Sequence, residues 1–216
     1  MKTIGILGGT FNPVHYGHLR MAQELAEGLA IDTIRFIPAA NPPHKSTHNI
    51  SALHRLAMVN LAVADNPLFQ LDDQELKRDG QSYTIDTLTQ LREELGKETS
   101  IILFMGSDAF KQFDTWHRWQ EIITLCHIAL VQRPQTNTAK TSSTLSPALE
   151  NFLQHHYTEL GDDLHASPAG HITMRQITAL DISSTAIRNA FKDGLSTRYL
   201  MPDAVIDYIK SHRLYT

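Results

Sequence analysis

The chain has 216 residues, 42% of them hydrophobic, which is enough to bury a sizeable core. Its 19 Lys and Arg against 23 Asp and Glu leave a net charge of −4. That balance speaks against nucleic acid as a partner, which needs a broad basic face, but leaves room for a local anion pocket. No stretch approaches the roughly 18 apolar residues of a membrane-spanning helix, so no membrane association is expected. The N-terminal run MKTIGIL breaks at Gly8 and Gly9, too early for a signal peptide. The single cysteine, Cys126, lies in an apolar run, as expected of a buried, inert thiol in a cytoplasmic protein.

In chain order, TIGILG at 3–8 reads as a short strand, followed by a Gly/Thr/Asn/Pro loop. Leu19, Ala22, Leu25, Ala26 and Leu29 recur at helical spacing over 16–29. A strand at 33–38 stops at proline, and a polar loop covers 39–49. A helix at 51–65, a short strand at 68–72 and an irregular stretch to Tyr83 follow. A helix over 84–96 ends at Gly96, with Thr84 as its expected N-cap and Asp86 in its first turn. The strand SIILFM at 100–105 opens onto GSDAF, short helical turns fill 107–125, and a strand occupies 127–131. A Thr/Ser/Gln-rich loop runs to about 145. A helix at 146–157, a strand at 172–178 and helices at 184–193 and 203–212 complete the chain. Strands alternating with helices predict an α/β fold: a doubly wound, Rossmann-like parallel sheet in a single domain spanning 1–216. Ligands bind such sheets at the carboxyl ends of the strands, which places the site in the loops 8–18, 39–48, 106–119, 132–134 and 179–188.

Gly8, Gly9, Thr10, Phe11, Asn12 and Pro13 follow the first strand directly. Paired glycines allow close backbone approach to a ligand. GxGxxG is absent, and no GK[ST] follows, so neither a dinucleotide fingerprint nor a P-loop is present. His15 and His18 then stand i, i+3 at a helix start, with Gly17 between them. Two imidazoles beside helix-terminal amides suit an anion. A zinc site of the HExxH kind would need i, i+4 spacing and a glutamate, and neither is present, so no protein-held metal is expected. The segment Gly8–His18 resembles the first signature of the HxGH nucleotidyltransferase family, whose two histidines contact nucleoside-triphosphate phosphates.

Near the other end, Ile182-Ser183-Ser184-Thr185-Ala186-Ile187-Arg188 follows the last strand, with a serine N-cap and Gly194 as the C-terminal stop. A cation so early in a helix makes sense if an anion is shared between the helix end and the guanidinium. ISSTAIR is similar to the same family's second signature. The resemblance implies that Ile182, Ser183, Ser184 and Thr185, with Arg188, hold the β- and γ-phosphates, and that Gly8, Gly9, Thr10 and Phe11 line the ATP.

NPPHK at 41–45, SYTIDTL at 82–88, GSDAF with the later WHRW at 116–119, and YLMPDAVIDYI with the terminal LY resemble the bacterial nicotinate-mononucleotide adenylyltransferases from end to end. By that likeness His44 and Lys45 contact phosphate or nucleotide. Tyr83 and Thr84 lie beside the nicotinate, Trp116 stacks on its ring, Asp108 binds ribose hydroxyls, and Arg133 lies near the adenine-side loop. The implied partners are ATP and nicotinate mononucleotide, with Mg²⁺ arriving bound to the triphosphate; a homo-oligomer is compatible with the sequence. The alternatives are an adenylyltransferase for nicotinamide mononucleotide or another phosphate acceptor, and, in another class, a non-catalytic nucleotide-binding sensor. The family's first motif commonly reads GGTFDP; here position 12 is Asn, which also closes an Asx turn, so activity is expected to survive.

Overall fold

The computed structural model describes residues 1–42, 50–132, 145–178 and 180–216. Strand β1 (Thr3–Gly9) leads into α1 (Tyr16–Gly28), β2 (Thr33–Pro38), α2 (Ala52–Val63) and β3 (Phe69–Leu71). A 3-10 turn (Gln74–Lys77), α3 (Thr84–Leu95), β4 (Ser100–Gly106), α4 (Ser107–Phe110), a second 3-10 turn (Phe113–Thr115) and α5 (Trp119–Leu125) come next. The chain continues through β5 (His127–Gln132), α6 (Pro147–His156), α7 (Asp163–Ala166), β6 (Ile172–Gln176), α8 (Ser184–Lys192) and α9 (Asp203–Ser211). Every strand and longer helix expected from the sequence is present; the short α7 was not anticipated.

Local chemistry sets the ends of these elements. Ser51, Ser146 and Ser183 each accept a backbone N–H three residues on, capping α2, α6 and α8. Gly96 (φ 80°) and Gly194 (φ 67°) stop α3 and α8 in the left-handed region, as their positions suggested. Thr84, expected as an N-cap, is instead the first helical residue of α3. The Tyr83 carbonyl already accepts the N–H of Thr87, which makes Tyr83 the cap, and it caps without a side-chain bond.

The six strands lie in the order β3-β2-β1-β4-β5-β6, and every neighbouring pair is parallel. The order reverses between β1 and β4, so the crevice at their carboxyl ends is the natural ligand position. Side chains alternate between two cores. Ile4, Ile6, Ile101, Leu103, Ile128 and Leu130 face the layer carrying Leu88 and Leu91 of α3 and Ile122 of α5. Leu7, Phe36, Ile102, Phe104 and Ala129 face Leu25 of α1, Met58 and Val59 of α2, Ile187 of α8 and Val205 of α9. Gly5 in β1 makes room for Phe104: a Cβ there would stand 2.5 Å from the end of the ring. Cys126 is buried, and desolvation pushes its thiol up to about 12, as expected of an inert cysteine. Among the described residues, no helix is long and apolar enough to cross a membrane.

Candidate active site

The loop leaving β1 is gripped from below by its carbonyls. Arg55 is wholly buried, and its guanidinium donates to the carbonyls of Thr10 (2.8 Å), Ala39 (2.6 Å) and Ala40 (3.1 Å). Arg188 donates to the carbonyl of Asn12 at 2.8 Å, and the Ser184 hydroxyl to that of Pro13 at 2.8 Å. A peptide's N–H points opposite its C=O across a trans bond. Holding the Thr10 and Ala39 carbonyls against Arg55 therefore turns the N–H groups of Phe11 and Ala40 away from it. The carbonyls of Thr10, Asn12, Ala39 and Ala40 are thus held by the guanidinium groups of Arg55 and Arg188, and the Phe11 and Ala40 N–H groups lie on the side open to an anion.

Phe11 takes a left-handed backbone (φ 48°), and its ring packs edge-on to His18 at 5.2 Å. Gly9 lies under that ring, where a Cβ would approach to 3.2 Å. His15 is the N-cap of α1 and His18 its third residue. Their rings lie 3.8 Å apart, and the His15 N–H donates to Nδ1 of His18 at 3.3 Å. His15 is buried and His18 half-buried. Gly17 keeps space for the His15 ring, since a Cβ would stand 3.0 Å from it. The i, i+3 pairing read from the sequence is thus present. The first turns of α1 and α8 carry no acidic residue of their own, which leaves the positive ends of both helix dipoles suited to an anion. Thr185 lies beside Arg188, accepting from its guanidinium at 3.2 Å. The two signature segments, some 170 residues apart in sequence, are in direct hydrogen-bonded contact.

A second group of expected residues gathers beside the loop leaving β2. The Asn41 N–H donates to the Ser82 hydroxyl, and the Ser82 N–H to the Asn41 carbonyl, both at 3.1 Å. That pairing brings the 39–42 segment against Tyr83 and Thr84, both half-buried. The Tyr83 ring faces His117 with centroids 4.5 Å apart, a pairing the sequence did not reveal. Trp116 is partly buried edge-on to Phe113, and Trp119 packs on Phe113 and Phe152. Asp108 stands exposed at the head of α4, with the Lys111 ammonium 3.5 Å away. His44, Lys45 and Arg133 lie outside the described residues.

Arg55 joins the two groups, because its three acceptors belong to both loops. Desolvation lowers its pKa, opposed by Tyr215 and Glu75, yet a guanidinium remains charged. Sequence reasoning passed over it. The signal was a cation on the apolar stripe of α2, where Arg55, Met58, Val59 and Val63 share the buried face. Tyr215 was also given no role, although its hydroxyl donates to Oδ1 of Asn12 at 2.5 Å inside the protein.

A parallel sheet with its switch point under an HxGH loop and an ISSTAIR helix defines a nucleotidyltransferase, and the model of the cytidylyltransferase-like family matches residues 6–190. A probable nicotinate-nucleotide adenylyltransferase of Pseudomonas fluorescens is 47% identical over 215 residues, covering 99% of this chain and 97% of the relative. One of Dechloromonas aromatica is 44% identical over 214 residues, covering 99% and 98%. The chain belongs to the nicotinate-nucleotide adenylyltransferase family. In structure it is similar to the Plasmodium falciparum nicotinic acid mononucleotide adenylyltransferase complexed with NaAD. The TM-score is 0.73 at 18% identity, covering 100% of this chain and 98% of the other, a likeness of fold.

Proposed function

We propose that the protein transfers AMP from ATP to nicotinate mononucleotide, giving nicotinate adenine dinucleotide and pyrophosphate, a step of NAD biosynthesis. The observation that carries this reading is the contact between the two signature segments. It sets Arg188, the N-terminus of α8, His18 and the N-terminus of α1 around one loop whose carbonyls are turned inward.

The mononucleotide phosphate attacks the α-phosphate of ATP. A phosphate monoester has a second pKa of about 6, so near neutral pH the nucleophile is already largely a dianion and needs no general base. The catalytic work is to align two anions and to neutralise the charge growing on pyrophosphate. His15 and His18 serve the triphosphate at the start of α1, with Gly8, Gly9, Thr10 and Phe11 giving close backbone approach. Ile182, Ser183, Ser184 and Thr185 supply helix-terminal groups, and Arg188 a cation, for the leaving phosphates. Asp108, at the carboxyl end of β4, is the ribose group, and Arg133 belongs to the adenine side. On the acceptor side, Tyr83, Thr84 and Trp116 border the pyridine ring, with His44 and Lys45 for phosphate. Mg²⁺ comes with the triphosphate. Its ligands in this reading are mostly phosphate and water oxygens, as suits a cation that gives up water reluctantly.

Pyrophosphate release from MgATP, measured with nicotinate mononucleotide and with its amide counterpart, tests the reading. The acid should give the higher kcat/KM. A preference for the amide would remove the assignment of Tyr83 and Thr84 to the nicotinate, and tight ATP binding with no release on any acceptor would make the protein a nucleotide-binding sensor.

A further inference from the structure

Tyr215 is the penultimate residue and lies outside the segment matched by the family model, which ends at residue 190. After α9 the chain turns back on itself. Arg213 (φ 51°) and Tyr215 (φ 64°) are both left-handed, and the Leu214 N–H returns to the Ile209 carbonyl at 3.0 Å. Non-glycine residues hold such backbones only where their surroundings fix them. Here the turn drives the Tyr215 ring into the interior, 7% exposed and 6.1 Å from the Phe191 ring of α8.

Its hydroxyl ends on Oδ1 of Asn12, itself buried, at 2.5 Å. The backbone carbonyl of the same Asn12 accepts from Nη1 of Arg188 at 2.8 Å. Burial pushes the phenol's pKa up, against the pull of the Arg188 and Arg55 charges, so the hydroxyl stays protonated and remains a donor at any working pH. We propose that the Tyr215 hydroxyl is a positioning group for the triphosphate side of the site: it fixes Asn12, and the Asn12 carbonyl in turn sets the aim of Arg188. The inference rests on the reading of Arg188 as a phosphate-binding group. It gives the C-terminal turn a part in ATP recognition, and it explains why Asn at position 12 suffices, because the bond needs only an acceptor oxygen there.

The test compares wild type with Tyr215→Phe, which keeps the buried ring. ATP affinity is measured by calorimetry, alongside kcat, both KM values and the thermal midpoint. Losing one buried hydrogen bond should weaken ATP binding about fivefold. The KM for ATP should rise in step while the KM for the acceptor stays unchanged. In an Arg188→Lys background, Tyr215→Phe should add no further loss. Unchanged ATP affinity with only a lowered midpoint would overturn the proposal, as would an equal loss in both backgrounds. Should Tyr215→Phe not fold, Asn12→Ala removes the acceptor and must show the same pattern. Wild type that binds ATP but turns over no acceptor would defeat the adenylyl-transfer reading alone, since the ATP affinities still decide the role of Tyr215.

Discussion

His15 and His18 show how much a short motif carries. Spacing alone put them on one face of a helix start, and the folded chain sets their rings 3.8 Å apart, tilted by 31°, with Gly17 making the space. His18 is the more exposed of the two rings and the one proposed to meet phosphate. His18→Ala should therefore lower turnover at least about tenfold, roughly 1.4 kcal/mol of transition-state stabilisation; steady-state kinetics near wild type would remove it from the mechanism. Other residues were illegible for a physical reason. A sequence shows that Arg55 sits on an apolar stripe, but the carbonyls it satisfies come from loops 45 and about 15 positions away. The Tyr215 bond reaches across 203 positions.

At the scale of elements, periodicity and capping chemistry located the strands and longer helices, because those signals are local. The errors fell where a tertiary or backbone detail intervenes, as at Thr84, displaced from its expected cap by a backbone bond to Tyr83. Gly5 is a case in which the strand pattern hides a packing demand. Its missing Cβ is filled by Phe104 of β4, with Ile34 of β2 at 3.1 Å on the same side. Gly5→Ala should destabilise by about 1–3 kcal/mol through overpacking, read as a lower denaturation midpoint. Adding Phe104→Leu should recover part of that loss. Strictly additive losses would show that the two side chains do not compete for one space.

For the molecule as a whole, the end of the sheet away from the site sets a pH limit. His127, at the start of β5, is fully buried; its Nδ1 accepts the N–H of His171, and its Nε2 lies 2.8 Å from the Ser167 carbonyl. That pattern requires the neutral ring with the proton on Nε2. Burial first, then the neighbouring His171, Arg92 and His165, lower its pKa to about 4 against the bonding to Ser167. The folded state thus resists protonation, while the unfolded chain takes up a proton below its ordinary value of 6.5. The resulting stability is whole above that value and is lost as pH falls towards 4, amounting to about 3 kcal/mol. Denaturation of wild type and His127→Gln at pH 7 and pH 4.5 should show a smaller acid loss in the variant; equal losses would assign the pH dependence elsewhere.

By itself the sequence determined the class of fold, the two signature segments and the family. Each of these is written in local order: alternation, caps, glycines and motif spacing. Only the tertiary structure decided how the signatures meet. It showed that Ser184 and Arg188 grip the carbonyls of the first loop, that Arg55 ties that loop to the segment leaving β2, and that the chain's last turn returns beneath Asn12. These contacts join residues distant along the chain through side-chain and backbone groups that have no periodicity, so no local pattern announces them.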